Sequence, residues 1–122
     1  MYRKLNEIER QWLDKLLAVD FKGKEILQRQ ISGAKVSFQQ EYAFISIKFV
    51  LEDEAEKYPY RERVPVEMHA FQKESAPIVF LLHVMGGVVE ELEIFPADSS
   101  RLDLENIDVQ CVEYEIEPTV KL

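Results

Sequence analysis

"IVFLLHVMGGVVEELEIF", residues 78–95, sets an apolar run carrying one histidine, His83, against a second run with three glutamates between positions 90 and 93. Gly86 and Gly87 stand between them. Phosphate-binding loops need several spaced glycines at a strand-to-helix junction, whereas here a strand pattern follows a strand pattern and carboxylates arrive where phosphate would sit. The stretch therefore reads as a β-hairpin. Its register decides which side chains are buried, because a slip of one residue exchanges the two faces of a strand. A loop of Gly86 and Gly87 alone sets Phe80 and Leu82 opposite Glu93 and Glu91, which are poor neighbours. A loop of Met85 to Gly87, with Gly87 left-handed and a bulge, aligns Ile78, Phe80, Leu82 and Val84 with Val88, Glu90, Leu92 and Ile94. The second register is favoured, and it sends His83 outward with Val79, Leu81, Glu91 and Glu93.

Period-two alternation extends outward from this hairpin. Val36 and Phe38, then Ala43, Ile45, Ile47, Phe49 and Leu51 in "YAFISIKFVL", predict two strands joined near Gln40. Val64, Val66, Met68 and Ala70 predict another, and a last strand is expected from Val109 to Ile116. "EDEAEKYPYRE" (52–62) is charged and carries Pro59, so it reads as an exposed loop. The first 33 residues differ. Asn6 followed by Glu9 has the spacing of a capping box, and Ile8, Trp12, Leu13, Leu16 and Leu17 recur at helical period. After a turn at Gly23, Ile26, Leu27 and Ile31 predict a shorter helix ending at Gly33. Helices first and strands afterwards predict an α+β fold within a single domain, 1–122. A helical hairpin (1–33) is expected on one face of a mostly antiparallel sheet (34–122) of about five or six strands.

Composition narrows the function classes. At 122 residues, 47% hydrophobic and 31% charged, the chain has ordinary globular usage. Its net charge of −8 is unevenly spread: residues 1–51 hold nine basic and six acidic side chains, residues 52–122 six and seventeen, a balance of +3 against −11. The acidic part repels phosphate backbones, which argues against nucleic acid and favours a basic protein as partner. No apolar run is long enough to span a membrane, and the N-terminal stretch lacks the apolar core of a secretory signal, so a cytoplasmic location is expected. The single cysteine, Cys111, has no internal disulfide partner; its parity with Val109 predicts a buried thiol.

Chemistry-bearing candidates are few. A turn centred near Ala76 places His69 across from His83 on the outer face, and two imidazoles with nearby carboxylates form a candidate site for a metal or small ligand. Asp103, Glu105 and Asp108 lack the glycine and closing glutamate of a calcium loop and read as a solvated turn. None of the serines stands in a nucleophile elbow, no catalytic residue is assigned, and no cofactor is implied.

Three stretches in the same order, "LNEIERQWLDKLLAVDFKG" (5–23), "RVPVE" (63–67) and "FLLHVMGGVVEELEIF" (80–95), resemble a family of small bacterial proteins known only as a domain of unknown function. The resemblance implies a shared fold and makes His83, Gly87, Glu91 and Glu93 part of a family pattern. With the charge distribution, the expected function is a non-enzymatic binding module in the manner of an immunity protein or antitoxin. Its outer face would carry His69, Phe71, Leu81, His83, Glu91 and Glu93, docking a basic protein or, by self-association, a second copy. The alternative is a metal- or small-ligand-binding protein using His69 and His83.

Overall fold

The computed structural model describes residues 1–122 and has an α+β fold of two helices, α1 (Glu7–Leu16) and α2 (Lys24–Ser32), with an antiparallel sheet. Helix α1 begins at the capping box: the Glu9 N–H donates to Asn6 Oδ1 at 2.8 Å, and Asn6 N–H donates to Glu9 Oε1 at 3.0 Å. Glu9 has a second task. It is only 1% exposed and accepts a bidentate pair from Arg3 at 2.8 and 2.7 Å. Burial alone would raise the Glu9 pKa, but the Arg3 hydrogen bonds, the Asn6 amide and the Arg3 charge together hold it below its ordinary value of 4.5.

The sheet has seven strands in the order β1-β2-β3-β6-β5-β4-β7, rather than five or six. They are β1 (Arg3–Lys4), β2 (Ala34–Glu41), β3 (Phe44–Leu51), β4 (Val66–Ala70), β5 (Ile78–Met85), β6 (Val88–Pro96) and β7 (Val112–Ile116). The unforeseen strand is β1, which pairs Arg3 with Val36 and Lys4 with Lys35 ahead of the first helix. Two residues are too few to show a period in sequence. Arg3 pairs with the inward-facing Val36, and this places its guanidinium beside Glu9.

Alternate residues of the sheet join the helices in one core. Ile45, Ile94 and Phe80 form a cross-strand row continued by Met68 and Tyr114, with Ile47, Leu92 and Leu82 as its neighbour. Trp12 of α1 meets Phe80 edge-on, with ring centroids 6.1 Å apart at 61°, and Tyr114 donates its hydroxyl to Lys15 O at 2.5 Å. Trp12, Leu13, Leu16, Leu17, Leu27 and Ile31 from the helical segment belong to the same cluster. The connections also contribute buried side chains. Tyr58 of 52–65 donates its hydroxyl to Lys22 O at 2.9 Å, and Leu102 of 97–111 donates its N–H to Tyr42 O at 2.8 Å. Val120, near the C-terminus, is also buried and accepts from Lys22 N–H at 2.8 Å.

The β5–β6 hairpin corrects the favoured register. Gly86 (φ 60°) and Gly87 (φ 79°) are both left-handed and close the turn alone, pairing Met85 with Val88 and Val84 with Val89. The register then shifts between His83 and Val84, so that His83 faces Glu91 and Leu82 faces Leu92. Glu90 is the extra residue of this bulge. Two glycines carry no Cβ penalty at positive φ, so the tight turn forms, and the bulge rotates Glu90 away from the core. Val89 is buried in place of Val88 and Glu90, while Glu90 pairs with Arg63 at 3.5 Å. Leu92 and Ile94 point inward and Glu91 and Glu93 outward, as the alternation predicts.

One buried amide ties α2 to this hairpin. Gln30, 2% exposed, donates to Glu56 O at 2.8 Å and Gly87 O at 2.9 Å and accepts from Val89 N–H at 2.9 Å. Gln30→Ala leaves the Val89 donor and the Glu56 acceptor without this partner, and is expected to lower unfolding free energy by about 2–4 kcal/mol in urea titrations. Gln28→Ala, at an exposed position of the same helix, should change it by less than about 0.5 kcal/mol. Because the Glu9 pKa is lowered by folding, its ionised form adds stability that is complete above about pH 4.5 and fades as pH falls through the lower folded value. Glu9→Gln should therefore reduce stability at pH 7 and flatten its acid dependence, measured by urea unfolding at a series of pH values.

Candidate functional site

The residues of opposite parity to the core form a second face. Across the sheet, Ser46 faces Glu93, Glu93 faces Leu81, Leu81 faces Glu67, and Glu67 faces Glu115. A neighbouring row runs Lys48, Glu91, His83. On the other side Phe95 pairs with Val79, Val79 with His69, and His69 with Glu113. Five carboxylates and two imidazoles thus surround Val79, Leu81 and Phe95, of which Val79 is buried and the other two half-buried.

The imidazoles are held by carboxylates in two separate places. His83 Nε2 lies 3.0 Å from Glu93 Oε1, so the ring nitrogen donates to an oxygen two strand positions from its direct partner Glu91. His83 Nδ1 is buried and has no partner. Glu91 accepts instead from the hydroxyl of Ser46, which is 4% exposed. His69 Nε2 is hydrogen-bonded to Glu67 Oε2, two residues back on the same strand. Glu115 completes a group there: one ligand atom each from Glu67, His69 and Glu115 lie within 4.8 Å of one another.

His69 and His83 do not face each other. His69 stands opposite Val79, and His83 lies four residues further along β5, about 13 Å away at strand spacing. The cause is the connection between β4 and β5. Ladder pairing ends at Ala70 and resumes at Ile78, which centres the loop on Glu74 rather than Ala76. Gln72 anchors it by donating to Asp108 O at 2.8 Å and accepting from Asp108 N–H at 3.0 Å. The two rings therefore cannot share an ion.

Other candidates resolve as follows. Phe71 is 41% exposed just beyond β4, where its N–H donates to Cys111 O at 2.8 Å. Cys111 is exposed, not buried, because the last strand starts at Val112 and turns Val112, Tyr114 and Ile116 inward. Asp103 accepts from Glu105 N–H at 3.2 Å and from Asn106 Nδ2 at 2.6 Å, and Asp108 accepts from Gln110 N–H at 2.8 Å. These aspartates act as turn caps. A groove of about 470 Å³ between the helices and the β1–β2 edge has Leu13, Leu17 and Ile31 as its floor and Lys4 and Arg10 on its rim. It contains none of the candidate site residues His69, Phe71, Leu81, His83, Glu91 and Glu93.

Glu67 and Glu115 were not singled out from the sequence. Their trace is present as Glu-x-His in "VEMHA" (66–70) and Glu-x-Glu in "VEYEI" (112–116). Each pattern places both side chains on one strand face, but only the pairing of β7 with β4 brings them together. Comparison with family models, curated proteins and solved structures finds no match for this chain. No helix is long and apolar enough to cross a membrane.

Proposed function

We propose that the protein is a non-enzymatic binding module in which the helices shield one side of the sheet and the other side docks a cationic protein, in the manner of an immunity protein or antitoxin. The observation that carries this reading is the division of ion pairs. Every lysine or arginine pair in the fold, from Arg3–Glu9 to Arg63–Glu90, lies off the outer sheet carboxylates. Glu67, Glu91, Glu93, Glu113 and Glu115 have only imidazole or hydroxyl partners, or none. A partner bringing lysines or arginines would supply those counter-charges while burying Leu81, Phe95 and Phe71. His69 and His83 stand within the same contact area.

The same charge opposes self-association through this face, since two copies related by a two-fold axis would set carboxylates against carboxylates. Lys48 and Lys35, at the β2–β3 side, are the only lysines of this outer parity in those strands, and Lys35 is already paired with Glu52 at 2.6 Å. A heterologous basic partner is the better electrostatic match.

Affinity capture from the native host should recover a basic protein whose retention falls at least about tenfold between roughly 0.05 M and 0.5 M salt. The variant Glu91→Gln/Glu93→Gln/Glu113→Gln should fold normally by circular dichroism and release that partner. Equal retention by the variant, or salt-insensitive capture, would refute docking on this face.

A further inference from the structure

The geometry points to Glu67, His69 and Glu115 as a binding site for a divalent transition-metal cation of the zinc class. Two strands build it. Glu67 and His69 are separated by one residue on β4, so both project from the same face, and Glu115 of β7 lies directly opposite Glu67. Their ligand atoms already lie within 4.8 Å of one another. A zinc ion bound at about 2.0–2.2 Å to nitrogen and oxygen needs ligand atoms roughly 3.3–3.6 Å apart, a spacing reached when the hydrogen-bonded Glu67 and His69 part to admit the ion and exposed Glu115 rotates in.

Charge gives a separate reason for a cation here. Like charges directly opposite each other destabilise an antiparallel pair, and Glu67 and Glu115 form such a pair. Neither is paired with a lysine or arginine, and Glu113, directly across from His69, adds to the negative field. The only group among them that can donate is the His69 ring, whose Nε2 points at Glu67. Binding at Nε2 takes the neutral tautomer protonated on Nδ1: the Nε2 proton moves to Nδ1 by way of solvent, or is released to solvent where the ring starts as imidazolium, and two carboxylates then balance the dication. An imidazole among the three ligands favours zinc, nickel or copper over calcium or magnesium, which prefer oxygen throughout. Three protein ligands leave a coordination position facing solvent. The ion would also clamp the edge strand β7 to β4.

This inference is independent of the docking reading, since metal binding is read without any partner. Zinc chloride is titrated calorimetrically into the untagged full chain, with melting followed in parallel. Expected are one-to-one saturation and a Tm rise of about 5 °C or more at roughly a hundredfold excess over Kd. His69→Ala and the near-isosteric Glu115→Gln should each weaken binding at least about tenfold, while His83→Ala and Cys111→Ser leave it unchanged. Absence of saturable binding, full binding by Glu115→Gln and His69→Ala, or an equal loss in His83→Ala or Cys111→Ser would each overturn the assignment.

Discussion

Two left-handed glycines followed by one bulged residue fix the register of the β5–β6 hairpin, and the identity of both sheet faces follows from that register. Phe80 is set under Trp12, and Leu82 against Leu92, only because the extra residue at Glu90 compensates for a turn of minimum length. Without the bulge, Glu91 and Glu93 would pair with Leu82 and Phe80 and carry two carboxylates toward the core. Burying unpaired charge costs far more than a local irregularity in the ladder. Gln30 holds the same turn from the helix side, so the position of α2 and the register of the hairpin are coupled through one side chain.

Much of this was legible in the sequence because the signals are local. Asn6 and Glu9 lie three residues apart, and the alternation through Phe44–Leu51 needs no partner to be recognised. What was not legible depends on distant pairing or on single residues. β1 is too short to carry a period, and the bulge at Glu90 shows only as two adjacent glutamates between Val89 and Leu92, a break in alternation that does not by itself say which residue is extra. The placement of β7 beside β4 brings residues 66–70 against 112–116, a juxtaposition set by packing across the whole sheet. A turn centred on Ala76 would set His69 against His83, whereas the ladder closes at the Ala70–Ile78 pair and Gln72 holds the loop to Asp108, contacts that no local pattern announces.

The charges of the molecule are distributed by role. On the helix side three carboxylates are paired: Glu9 with Arg3 and the α1 cap, Asp20 with Lys24, Glu56 with Arg29. Exposed pairs of this kind contribute little individually, and only the buried Glu9 is tied into the fold by several bonds. On the sheet side carboxylates are kept close together with imidazoles among them. That concentration costs stability through self-repulsion, which the proposed cationic partner would relieve. Burial also raises the Tyr114 hydroxyl pKa on the core side, so β7 presents a neutral phenol inward and carboxylates outward.

β7 is also the last strand of the sheet, and its far side carries backbone donors and acceptors with no neighbour. Such a margin is where chains can add to one another and grow into fibrils. Glu113 and Glu115 project from that margin, so a like strand arriving there would bring its own carboxylates into register with them. The acidic border thus opposes polymerisation as well as carrying the charge of the proposed docking face. Neutralising it would be felt first in colloidal behaviour at high concentration, before any change in the fold.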